Sequence, residues 1–155
     1  NRAGRNFNDV VNFLFSIAPC VCVGVGLIKK GNLFMAKILV VDDMHGIANL
    51  IQSILKAEGH DADVSYNGDQ AIKKLEKDVF DLVLTDIIMP EKDGFDVVNY
   101  VREHCKDTKI VAVTGGGITI SAPVALAALE NKVDSTLRKP VNKEELLNCV
   151  RSVLA

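Results

Sequence analysis

Three stretches of this chain are apolar almost without interruption: Ile38 to Val41, Leu82 to Thr85 and Ile110 to Val113. Apolar runs of this length, bounded by turn signals, fit strands covered on both faces, as in a parallel sheet between layers of helices. Parallel neighbours need long crossovers, and the segments between the runs have the spacing to supply them. Ile47, Leu50, Ile51, Ile54 and Leu55 recur on one helical face, and Gly59 is suited to ending that helix. Ala62 to Tyr66 reads as a more polar strand at a sheet edge. Asn67 with Gln70 then predicts a capping box for a helix through Ala71, Ile72 and Leu75.

The pattern continues downstream. A helix is expected from about Phe95 to His104 with Val97, Val98 and Val101 facing inward, and another, rich in alanine, from Ser121 and Pro123. Ser135-Thr136-Leu137 forms a short fifth strand. Asn142 with Glu145 predicts a second capping box, for a last helix whose apolar face is Leu146, Leu147, Val150, Val153 and Leu154. Five successive strand–helix units call for a doubly wound α/β fold, a parallel sheet with helices on both faces.

The first 34 residues do not share this pattern. Phe13 to Ile28 is strongly apolar but contains Pro19, Gly24 and Gly26, and it falls short of the roughly 20 residues that a spanning helix needs. Met35-Ala36-Lys37-Ile38 reads as a protein's own start, and Lys29-Lys30-Gly31 is compatible with a purine-rich ribosome-binding sequence just before it. Residues 1–34 are therefore expected to be a non-native leader, with a membrane-proximal segment as the alternative, and residues 35–155 a single domain. Four basic residues and one acidic residue fall in that leader; the other 14 basic and 19 acidic residues leave the domain at −5. An acidic body without a basic stripe argues against direct contact with nucleic acid. Cys20, Cys22, Cys105 and Cys149 lack zinc-type or secreted-framework spacing and read as reduced thiols of a cytoplasmic protein, with no membrane partner expected.

Asp42-Asp43, Asp86, Thr114 and Lys139-Pro140 each sit just past the carboxyl end of an expected strand, where open parallel sheets gather their ligands. Taken singly, they read as caps, turn residues and a solvated lysine. Taken together, three carboxylates at one end of a sheet repel one another unless a cation lies among them. Hard oxygen donors in a site open to water favour Mg2+. A lysine and a hydroxyl facing the same point complete a set for holding a phosphoryl group, with one carboxylate as in-line nucleophile. Asp86 is the centre of that set, in the stretch Asp81 to Pro90 that Asp93-Gly94 closes.

The ordered set Asp42-Asp43, Asp86-x-x-Met89-Pro90-x-x-Asp93-Gly94, Thr114 and Lys139-Pro140 resembles the receiver domain of two-component response regulators, the CheY-like fold, over residues 35–155. The Thr114-Gly-Gly-Gly117 and Leu137-x-Lys139-Pro140 contexts look like those of stand-alone receivers. The resemblance implies a flavodoxin-like strand order 2-1-3-4-5. It also implies that Asp86 accepts a phosphoryl group from a histidine kinase or histidine phosphotransfer protein, the chain catalysing its own phosphorylation and dephosphorylation. Asp43, Asp86, the backbone carbonyl of Ile88 and, mostly through water, Asp42 would hold Mg2+. Lys139 would pair with Asp86 and later with the phosphoryl oxygens. Thr114 and the backbone of Ile88 and Gly115 would bind the phosphoryl group, and Pro140 would follow a cis peptide.

Two positions depart from the family pattern. Thr136 stands where an aromatic switch residue is frequent, which moves the expected readout to the 115–117 loop and the helix after it, ordered on phosphorylation. Ile88 cannot orient an attacking water, so slow hydrolysis of the phosphoryl group is expected. His45 reads as a first-turn helix residue near the site mouth rather than a metal ligand, and His60 and His104 have no constellation around them. The competing reading is a constitutive protein-binding module on the same fold.

Overall fold

In the computed structural model, which describes residues 35–89, 94–115, 129 and 131–155, the apolar runs become strands of one parallel sheet. The strands are β1 (Lys37–Val41), β2 (Asp61–Ser65), β3 (Leu82–Asp86), β4 (Lys109–Thr114) and β5 (Ser135–Arg138). The helices among the described residues are α1 (His45–Ala57), α2 (Gly68–Leu75), α3 (Gly94–His104) and α4 (Lys143–Leu154). The order β2-β1-β3-β4-β5 puts the polar strand β2 at an edge, as its sequence implied. The expected alanine-rich helix, residues 1–34, residues 90–93 and the Gly116-Gly117 part of the glycine loop lie outside the described residues.

Alternation of side chains along each strand divides the core into two layers. Ile38 and Val40 pack with Ala48, Ile51 and Leu55 of α1 and with Leu146, Leu147 and Val150 of α4. Leu39 and Val41 point the other way, toward Ala71 and Leu75 of α2 and Val97, Val98 and Val101 of α3. Every residue of β3 is buried, which explains why its sequence carries no exposed polar alternation. After β1 the chain turns outward to β2, and after β3 it turns the opposite way to β4. The crevice beyond the ends of β1 and β3 is therefore the topological switch point of the sheet.

Local signals fared unevenly. Gly59 has φ 88° and ends α1, a left-handed position that glycine adopts without strain. The Asn67 side chain accepts from the Gln70 amide at 2.8 Å, while Gln70 Oε1 accepts from the Tyr66 amide at 3.0 Å, one residue earlier than a strict capping box. The Asn142 side chain caps α4 through the Glu144 amide at 2.8 Å, so the expected pairing with Glu145 is corrected by one position. A short amide side chain can satisfy the second or the third free N–H of a helix, and here it reaches the second.

Asp134, just before β5, ties the β4–β5 edge to α3. Its carboxylate accepts from the Ile110 amide at 2.8 Å, from Arg102 Nη2 at 2.9 Å and from Lys109 Nζ at 3.5 Å. Burial pushes this carboxyl upward, but the Ile110 amide and the Arg102 and Lys109 charges outweigh it and hold the group below the usual carboxylate range. A depressed carboxyl contributes stability above its unfolded pKa and loses it as pH falls through the folded value. Asp134→Ala is therefore expected to cost about 2 kcal/mol at neutral pH, chiefly from the unpartnered Ile110 amide. The gap to wild type should close in acid, as followed by urea denaturation; a gap that does not vary with pH would remove the electrostatic part of the account.

Candidate functional site

β1 delivers Asp42 directly after its last residue. The Asp42 amide donates to the Ser65 carbonyl at 3.1 Å, and Asp42 Oδ1 accepts from the Met44 amide at 2.9 Å. This places Asp42 in a tight turn rather than at the N-cap of α1. The N-cap is Met44, which offers no side-chain cap, and α1 begins at His45. Asp42 is 2% exposed and Asp86, the last residue of β3, is 5% exposed, while Asp43 is half-buried. Carboxylate oxygens of Asp42, Asp43 and Asp86 lie within 4.8 Å of one another, the one such acidic group found among the described residues.

Lys139 reaches this group from the far side. It follows β5, its amide donates to the Thr114 carbonyl at 2.8 Å, and the Lys139–Pro140 peptide is cis. Its ammonium donates to Asp86 Oδ2 at 2.5 Å and lies 2.7 Å from Asp42 Oδ2. The contact with Asp42 is absent from the sequence expectations, and no local signal points to it. Burial depresses the Lys139 ammonium, but hydrogen bonds and charge from Asp42 and Asp86 outweigh it and hold the group above the ordinary lysine value. Burial likewise raises the Asp86 carboxyl, with Asp42 adding to the effect; the Lys139 hydrogen bond and the Ile88 amide oppose it without cancelling it.

With all groups charged, three carboxylates face one ammonium, leaving two negative charges unbalanced in a largely buried site. A divalent cation with a preference for hard oxygen donors fits this set in both charge and chemistry, as Mg2+ does.

The remaining expected residues surround this centre to different degrees. The Ile88 amide donates to Asp86 Oδ1 at 3.0 Å, and the Ile88 side chain is 53% exposed. Thr114 ends β4 half-buried, its hydroxyl 3.5 Å from the Leu137 carbonyl that it donates to. Gly115 is half-buried and has open space where a Cβ would stand. Thr136, on β5, and Pro140, joined to Lys139 by the cis peptide, are both exposed.

Gly94 is a site residue for a reason the sequence did not disclose. Its Asp-Gly setting reads as a turn, yet its amide donates to the Ile87 carbonyl at 3.1 Å and it opens α3 pressed against the end of β3. A Cβ at Gly94 would stand 2.0 Å from the Asp86 carbonyl oxygen.

Comparison with known proteins follows the same geometry. The family model described as Response regulator receiver domain matches residues 38–151. The transcriptional regulatory protein CpxR of Escherichia coli is 34% identical over 120 residues, covering 77% of this chain and 50% of CpxR. The response regulator ArlR of Staphylococcus saprophyticus is 31% identical over 120 residues, covering 77% of this chain and 53% of ArlR. The chain thus spans about half the length of the curated relatives it matches. Among solved structures, the Vibrio cholerae chemotaxis protein CheY4 is 30% identical with a TM-score of 0.68, covering 77% of this chain and 99% of CheY4. A CheY-like receiver domain protein from Methanospirillum hungatei is 27% identical with a TM-score of 0.67, covering 77% of this chain and 94% of that one.

Proposed function

The chain belongs to the response regulator receiver domain family, and from that premise we propose that Asp86 is its phosphoacceptor. Receivers of this family serve two-component phosphorelay signalling, and this chain is one of them. The observation that carries the proposal is the convergence of Asp42, Asp43 and Asp86 with Lys139, whose ammonium touches both Asp86 and Asp42.

In the proposed reaction an Asp86 oxygen attacks the phosphorus of a phosphohistidine on a kinase or phosphotransfer protein. The oxygen–phosphorus bond forms as the phosphorus–nitrogen bond breaks, and the imidazole leaves with that electron pair. Before the attack, the Ile88 amide holds Asp86 Oδ1 and Lys139 holds Oδ2, so the carboxylate plane is set. Asp43, Asp86, the Ile88 carbonyl and, mostly through water, Asp42 would hold Mg2+, which would neutralise charge on the phosphoryl oxygens. Lys139 then follows the negative charge onto the phosphoryl group. Thr114 Oγ1 exchanges its long bond to Leu137 for a phosphoryl oxygen, and the backbone of Ile88 and Gly115 closes around it.

Incubation with Mg2+ and a small acyl phosphate, followed by intact mass, tests the assignment. Wild type should gain one phosphoryl group and Asp86→Asn none. A wild-type chain that gains no mass, with metal and donor in excess, would leave the constitutive binding module as the better reading. Ile88→Asn should speed loss of the phosphoryl group about tenfold, because a polar side chain at this half-exposed position can orient the attacking water. An unchanged decay rate by the same mass measurement would remove Ile88 as the cause of slow hydrolysis.

Residues 35–155 are proposed as the receiver unit and the cytoplasm as its compartment. Among the described residues no helix is long and apolar enough to cross a membrane. The proposed readout is contact of the receiver itself with a target protein, the stand-alone mode, and the acidic balance of the domain supports protein contact over direct nucleic-acid contact.

A further inference from the structure

Asp43 differs from the other two carboxylates in how it is held. Asp42 is pinned by its own amide and by the Met44 amide, and Asp86 by Ile88 and Lys139. Among the described residues, no hydrogen bond to the Asp43 carboxylate fixes its direction. Its position follows from the backbone on either side, which on one side is Asp42. On the other side lies the start of α1, whose N-cap Met44 makes no side-chain cap and is 55% exposed.

At that start, beside the bonds from the Ile47 and Ala48 amides to the Met44 carbonyl, lies an aromatic stack. The His45 and Tyr66 rings lie 3.8 Å apart between centroids, inclined by 20°. Tyr66 is itself held on three sides. It packs against the core layer of α1 and α4, its hydroxyl is 3.0 Å from Asn49 Oδ1, and its amide donates to Gln70 Oε1 at 3.0 Å. Ser65, immediately before it, accepts the Asp42 amide. The segment from Asp42 to His45 is thus clamped to the β2–α2 connection at both ends, by a hydrogen bond at one and a ring stack at the other.

We infer that His45 and Tyr66 are positioning residues for Asp43, and through it for the divalent cation, although neither touches the metal site. The inference rests on the reading of the acidic cluster as a Mg2+ site. Groups that orient metal ligands from outside the coordination sphere commonly change affinity by about tenfold or more when removed. A stack of two rings suits the task, since it restrains both position and tilt of the helix start.

Calorimetric titration of the metal-free full chain with MgCl2 tests this, with thermal unfolding as the check on the fold. His45→Ala and Tyr66→Ala should each weaken Mg2+ binding about tenfold, and the double variant should bind no more weakly than either single one, as coupled residues do. Tyr66→Phe, which keeps the ring and loses the bond to Asn49, should bind near wild type. His45 is exposed, so His45→Ala tests the inference even where Tyr66→Ala loses its fold. Wild-type affinity in His45→Ala overturns the inference. So does a double variant whose losses multiply independently, or a Tyr66→Phe protein as weak as Tyr66→Ala. A wild-type chain that does not bind Mg2+ instead overturns the reading of the acidic site, and this inference with it.

Discussion

Gly94→Ala is expected to cost the domain about 3 kcal/mol or more of stability and to reduce phosphoryl uptake in whatever fraction still folds. The new Cβ would stand 2.0 Å from the Asp86 carbonyl oxygen, 2.7 Å from the Ile87 Cα and 2.9 Å from the Asp86 carbonyl carbon. All three atoms are backbone, so no side chain can rotate away; either α3 retreats from the sheet or the end of β3 moves. The second response displaces Asp86, the proposed nucleophile, itself. Helix propensity acts in the opposite direction, but alanine gains only about 1 kcal/mol over glycine inside a helix, too little to offset the overlap.

Gly46 provides the control. It lies in the first turn of α1 with nothing within 4 Å of a built Cβ. Gly46→Ala should be neutral or should stabilise by about 0.5–1 kcal/mol. Urea denaturation midpoints of the two variants should therefore shift in opposite directions or differ widely. Equal midpoints would mean that the β3–α3 junction has slack the structure does not show.

Lys139→Met carries the other large effect. The lysine side chain is 14% exposed, and its two partner carboxylates 2% and 6%. Removing the cation leaves buried like charges uncompensated, a change that commonly costs about 3–5 kcal/mol. In metal-free buffer at neutral pH the variant should lose stability of that order. The sign of its pH dependence follows. Burial already holds Asp86 above the usual carboxylate range, and without Lys139 it is raised further, so stability is retained below the unfolded pKa and lost as pH rises through the folded one. The deficit should therefore shrink in acid. Added Mg2+ should stabilise the variant more than it stabilises wild type, because it compensates charge that Lys139 otherwise covers. Wild-type stability of Lys139→Met in chelator at neutral pH would refute this account of the site.

Sequence reasoning reached what depends on short-range pattern. The apolar runs at 38–41, 82–85 and 110–113 became β1, β3 and β4, because a strand covered on both faces has nowhere to put a polar side chain. The positions of Asp42, Asp86, Thr114 and Lys139 at strand ends followed from the same runs. Contacts between distant segments were not reached. Lys139 meeting Asp42, Tyr66 stacking on His45, and Arg102 bonding Asp134 across 32 residues leave no periodic trace in the chain. Gly94 is the intermediate case: its Asp-Gly setting is visible, but its steric reason appears only once α3 is laid against β3. The cap details were missed by one residue because alternative amides within one turn compete for the same short side chain.

The strand order has a consequence for when the domain becomes able to signal. Asp42 comes from β1 and Asp86 from β3, whereas Lys139 follows β5, which joins the sheet only through β4. A chain emerging from the ribosome therefore displays all three acids well before the cation that reconciles them. Until β5 docks, the carboxylates brought together by β1 and β3 repel one another, and Asp86, the proposed acceptor, lacks its counter-charge. Under the proposed assignment of Asp86, chemical competence would then follow completed assembly, because the ammonium that pairs with the acceptor arrives with the last strand.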